Sequence, residues 1–168
     1  MLRGRPPKEF RIPTDRETAL AFGEPVAVLR DAPADWPLAM GRHGTDEGLF
    51  QVELTYHLPD NEPVAAVSTS RQLVDPVTAL WSFLANSGRR TDGLAADLPH
   101  LGRDIRLDSL LIPVHVHHHL DCFTARLPRL PHDTGCVVVT GLTAHWPLLS
   151  ALVMREPAGF PDSHLHSR

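Results

Sequence analysis

Four histidines and an aspartate fall within seven residues, His115-Val116-His117-His118-His119-Leu120-Asp121, the densest run of chemistry-bearing side chains in the sequence. Read as part of one strand from Leu110 to Thr124, the run alternates between two faces. His115, His117, His119 and Asp121 share an outer face. Ile112, Val114, Val116, His118, Leu120 and Cys122 share an inner, apolar one, where a buried His118 needs a hydrogen-bond partner. Histidines two apart on a strand have roots about 7 Å from each other, close enough to reach one ion. The metal-binding reading therefore makes His115, His117 and His119 ligands to zinc or iron, with His57, His132 or His145 as further donors. Asp121 would ligate or orient a ligand. The competing reading is an open sheet face whose histidines meet a partner or respond to pH. The expectation is the second: no convergence on one ion, and no cofactor.

Established catalytic patterns do not fit the row. A cupin needs a glycine where Ser109 stands and a glutamate beyond the histidines, where only Asp121 is near. The metallo-β-lactamase pattern fails at His119 and Leu120, and the H-H-x-x-x-D-G acyltransferase pattern fails at Asp121 and Cys122. No P-loop, dinucleotide-binding glycine motif, nucleophile elbow or H-E-x-x-H is present. Glu53 and Glu62 flank an expected hairpin and read as solvated charges. Cys122 and Cys136 are too few for a disulfide framework and read as reduced, partly buried thiols. A zinc site from Cys122, Cys136, His132 and His145 has no recognised spacing.

Near the start, Arg3-Gly4-Arg5-Pro6 has the form of an AT-hook core, two arginines on a thin backbone suited to a narrow minor groove. The match covers four residues, and the composition weakens it. Of 16 Lys and Arg residues only Lys8 is lysine, and there are 16 prolines and 11 glycines, the signature of GC-rich codons. Twenty acidic residues make the net charge −4, so no overall field draws the chain to nucleic acid. The 11 histidines are not explained by codon bias. No apolar run approaches the ~20 residues of a membrane span, and Met1–Phe10 has no apolar stretch of a secretory signal. The expected setting is cytoplasmic.

These residues must be positioned by ordinary elements. At 168 residues and 42% hydrophobic content, one domain with one core is expected. Residues 1–15 read as a flexible basic, proline-rich arm, 16–155 as a globular α+β domain, and 156–168 as a frayed tail. A helical turn spans Arg16 to Phe22 and a first strand Pro25 to Arg30. Leu49 to Leu58 alternates Phe50, Val52, Leu54, Tyr56 and Leu58 with polar residues, a strand with one wet face. Pro59 to Pro63 is a turn, and Val64 to Ser70 the return strand. Asp75 caps and Pro76 opens the main helix, to Asn86, with Val77, Leu80, Trp81 and Leu84 on its buried stripe. A buried Trp81 would cost about 3–5 kcal/mol on truncation to alanine. Gly88 to Asp108 reads as a long connection, Cys136 to Thr140 as a buried strand and Leu148 to Met154 as a last apolar segment. The fold class is α+β, a predominantly antiparallel sheet with one main helix packed on it.

One internal echo stands out. Ala34-Asp35-Trp36-Pro37-Leu38 recurs 110 residues later as Ala144-His145-Trp146-Pro147-Leu148. Either Trp-Pro closes a strand-end corner twice, or a strand–loop–Trp unit was duplicated. With no catalytic constellation and one sheet face free, the expected function is a small non-catalytic interaction or regulatory domain, partnered by another protein. A metal-binding protein or metal-dependent enzyme on the His115 row is the first alternative, and a nucleic-acid accessory protein using the arm the second.

Overall fold

A computed structural model describes residues 12–94 and 98–164. The elements run α1 (Asp15–Phe22), β1 (Val26–Leu29), β2 (Leu38–Thr45), β3 (Gly48–His57), β4 (Pro63–Ser70), α2 (Pro76–Asn86), β5 (His100–Leu107), β6 (Leu110–His119), β7 (Cys122–Pro128), β8 (Cys136–Leu142), α3 (Trp146–Leu149) and β9 (Ala151–Arg155). All nine strands form one sheet, in the order β1-β9-β5-β6-β7-β8-β4-β3-β2. The α+β class holds, but the sheet is mixed: β9 lies parallel to β5, pairing Arg106 with Ala151, while the other neighbours are antiparallel. The AT-hook-like Arg3 to Pro6 lies outside the described residues.

Alternation gives the sheet an apolar inner face. Val52, Leu54 and Tyr56 of β3 continue across the register through Val67, Val139 and Ala125 into Val116 and Ile105. Phe22 and Ala19 of α1 are buried in that core. The sheet curls until its first strand crosses this face: the Ala27 N–H donates to Thr69 Oγ1 at 2.8 Å and the Leu29 N–H to the Tyr56 hydroxyl at 3.0 Å. Two amides of an edge strand thus find buried side-chain acceptors instead of water. Burial pushes the Tyr56 hydroxyl up to about 12.

Helix α2 begins as its sequence dictates. Asp75 accepts from the Val77 N–H and Pro76 occupies the first turn. Its buried residues are Leu80, Phe83 and Leu84, an i, i+3, i+4 set that sits over β7 and β8. Trp81, expected on this stripe, is instead 52% exposed. Phe83 takes the place that the period assigned to Trp81, turning the stripe about one residue around the axis. Trp81→Ala should accordingly change stability by no more than about 1 kcal/mol in urea unfolding.

Further expectations fail. The supposed connection 88–108 contains strand β5. Leu110 to Thr124 is not one strand but the β6–β7 hairpin, which turns at Leu120 and Asp121 with Leu120 at φ 56° and 67% exposed. His118 is half-buried, not buried. The segment expected to fray after Arg155 is docked as far as Ser163 at the start of α1, with Phe160 fully buried. Thr14 and Asp15, assigned to the arm, instead cap and begin α1, with Asp15 buried; residues 1–11 lie outside the described residues.

The two Trp-Pro corners meet each other. Trp36 follows β1, Trp146 follows β8, both are half-buried against the core, and the His145 ring stands edge-on to Trp36 at 5.7 Å. Their connections differ: the first opens into strand β2, the second into helix α3. β1 lies at a sheet edge and β8 between β7 and β4. The unequal topology favours two independent corner closures over a duplicated unit.

Candidate functional site

Register places the polar side chains of the sheet on its outer face, the face that α2 crosses. Gln51, Glu53, Thr55 and His57 project there from β3, and cross-strand pairing aligns Glu53 with Ser68 and Thr124 with Thr140. The two threonines are buried and hydrogen-bonded to each other at 2.8 Å. Helix α2 divides this face into two flanks, one over β2, β3 and β4, the other over β6 and β5.

On the first flank the sheet and α2 enclose a groove of about 460 Å³, within the range of small-molecule sites. Its apolar wall comes from Ala79 and Phe83 of α2 with Ala66 and Val138 of the sheet; its polar wall includes Glu53, His57, Ser82 and Asn86. The Ser68 hydroxyl donates to Glu53 Oε2 at 3.3 Å. His57 Nδ1 is buried without a hydrogen-bond partner among the described residues, an arrangement that costs free energy unless something else supplies the bond. His43 lines the groove from β2.

On the second flank lies the histidine row. His115, His117 and His119 do project together from β6, and β5 adds a fourth side chain, His100, paired directly with His117. The His100 ring stands 5.4 Å from His115 and 5.8 Å from His117. His117 Nδ1 and His119 Nε2 are buried, with no hydrogen-bond partner among the described residues. His132 and His145 are not part of this cluster: His145 packs on Trp36, and His57 belongs to the groove across α2. Asp121 is taken by Arg89, whose Nη1 reaches both its oxygens at 2.8 and 3.0 Å while Nη2 reaches Glu62 at 2.9 Å. Burial opposes ionisation of Asp121, but these bonds outweigh it and hold the carboxyl below its usual range. Among the described residues no group of three or more His, Cys, Asp or Glu is placed to hold a metal ion.

The cysteine–histidine alternative also fails on register. Cys122 pairs with Leu142 and Cys136 with Pro128, at opposite ends of the β7–β8 ladder, roughly 20 Å apart at 3.3 Å per residue. Both thiols are free and buried, and burial pushes Cys122 up to about 11.

His117 makes the row measurable. Burial, then the neighbouring His100 and His115, lower its pKa, against a smaller opposing pull from Asp75. A histidine with a depressed folded pKa stabilises the fold above its unfolded value and loses that contribution as pH falls through the window below about 6.5. The urea midpoint of the native chain should therefore drop further between pH 7.5 and 5.5 than that of His117→Gln. Equal drops would separate His117 from the acid response.

Comparison of the chain with family models, with curated proteins and with solved structures finds no match. The class that fold and site define is thus an α+β domain built on one mixed nine-stranded sheet, with a helix-walled groove on its polar face. Among the described residues no helix is long and apolar enough to cross a membrane.

Proposed function

We propose that the chain is a small non-catalytic binding domain whose groove between α2 and strands β2, β3 and β4 takes a small organic molecule. His57, a residue of the groove wall whose Nδ1 has no hydrogen-bond partner among the described residues, carries this reading. A polar atom withdrawn from water and left without a bond is stabilised when a ligand completes it. The mixed lining supports the same conclusion, since apolar walls supply contact area while a few polar groups fix orientation. Regulation, on this reading, means that occupancy of the groove alters how α2 meets a protein partner.

Amide NMR spectra recorded during titration with a library of small amines, amides and alcohols test it. Shifts should cluster on residues around Glu53, His57 and Ser82, and Ala66→Trp, which fills the groove, should abolish them. Shifts scattered elsewhere, or unchanged by Ala66→Trp, would defeat the reading.

The alternative of a metal-binding protein is favoured by one observation, the close packing of the His100, His115 and His117 rings. The placement of their donor atoms works against it. Stoichiometric zinc or iron in protein purified without a His-tag, lost in the His115→Ala/His117→Ala double variant, would establish the metal reading instead.

A further inference from the structure

We infer that the groove selects a bifunctional cation, a molecule with a protonated amine at one end and a hydrogen-bonding group at the other; this rests on the groove being the binding site. Among its described lining residues Glu53 is the one acidic side chain, and neither lysine nor arginine is present. Glu53 is half-buried and receives a single hydrogen bond, from Ser68, with no cationic partner among the described residues. The other groove-facing strand residues bring hydroxyls, one amide and the imidazoles of His43 and His57, but no guanidinium or ammonium group. A carboxylate partly withdrawn from water and left unpaired favours a cation over a neutral group of the same shape, and repels an anion.

The second contact is His57. It lies four residues along the same face of β3, about 13 Å from Glu53 at the backbone. Its buried Nδ1 can donate to or accept from a hydroxyl, according to tautomer. Between the two, Ala66, Val138 and Phe83 present apolar surface to a short methylene body. A compact ω-amino alcohol meets all three demands, whereas a carboxylate at the Glu53 end meets a like charge.

The experiment titrates the full chain with three probes of equal length: 6-aminohexan-1-ol, hexane-1,6-diol and 6-hydroxyhexanoate. Amide shifts around Glu53 and His57 report the site. The amino alcohol should bind at least about tenfold more tightly than the diol, the measure of one charge-assisted bond. The 6-hydroxyhexanoate should bind least. Glu53→Gln preserves the shape and the Ser68 contact and should erase the preference for the amine over the diol, and an amide spectrum unchanged away from Glu53 shows that the variant is folded. Equal binding of all three in the groove, or a preference that survives Glu53→Gln, overturns the cation inference and leaves the groove standing. Failure of all three to bind overturns both.

Discussion

Arg129→Met should lower stability by about 3–5 kcal/mol, the range for removing one partner of a buried ion pair. Arg129 is 3% exposed, on the loop between β7 and β8. Its Nη1 pairs with Glu24, just past the end of α1, and its Nε donates to the Thr134 carbonyl at 3.1 Å. Glu24 is held from the other side by Arg71 Nε at 3.3 Å, and Arg71 itself bonds the Phe22 carbonyl and lies over the Phe22 ring. Three segments distant in sequence are thus joined through one carboxylate. Methionine keeps most of the volume but leaves Glu24 and the Thr134 carbonyl short of a donor. Gly135 allows the close approach: at φ 78°, a side-chain carbon there would lie 2.1 Å from the Ser70 carbonyl oxygen. Urea unfolding should show the loss in full for Arg129→Met and no more than about 1 kcal/mol for the exposed Arg71→Ala. Adding Glu24→Gln to Arg129→Met should recover part of it, because the carboxylate that then keeps only the more exposed Arg71 is removed. A cost below about 1 kcal/mol for Arg129→Met would mean that the pair is not structural.

The second large effect is expected at Phe160, where truncation to alanine should cost about 3–5 kcal/mol. Its ring is fully buried, with the Arg155 guanidinium 5.3 Å from the ring centre. The backbone around it serves the start of α1. Arg16 N–H donates to the Pro161 carbonyl at 3.1 Å, Asp15 N–H to the Ser163 carbonyl at 3.2 Å, and Arg16 Nε to the Phe160 carbonyl at 2.8 Å. First-turn amides of a helix have no partner within it, and here the C-terminal segment supplies one for two of them. Hydrogen exchange gives the sharper readout. In Phe160→Ala the amides of Asp15 and Arg16 should lose protection before those of β3 or β8. Uniform loss throughout the domain would instead mark a core residue without a docking role.

What the sequence disclosed depended on how local the physical signal was. β3 is legible because a strand with one wet face must alternate, and α2 because Asp75-Pro76 and an i, i+3, i+4 pattern are short-range rules. β8 is an apolar run that could lie only inside. By contrast β2 carries two glycines and is mostly exposed, so nothing in its pattern separates it from a loop. β5 does alternate, through Ile105 and Leu107, but Gly102 and Asp104 break the rhythm and its first half is exposed. Missing that strand also hid His100, since a cross-strand partner has no trace in linear spacing. The outer placement of His115, His117 and His119 was readable from alternation alone. The groove was not, because its walls come from β2, β3, β4, β8 and α2 and depend on long-range register. Docking of Phe160 was equally invisible: one aromatic among prolines and polar residues gives no period to read.

The parallel contact of β9 with β5 has a consequence for how the chain is made. β9 follows the sheet's other eight strands in sequence, yet it is the slot-filler between β5 and the first strand, β1. Until residues 151–155 emerge, β1 has no backbone partner and β5 presents a bare edge, although every other pairing in the sheet can already form. Contacts of such long sequence separation close late and slowly. A nascent or truncated chain ending before Ala151 therefore carries two open strand edges, one of them the wholly apolar Val26-Ala27-Val28-Leu29, ready to pair with a neighbour. Emergence of β9 and protection of these edges from self-association are, in this topology, the same event.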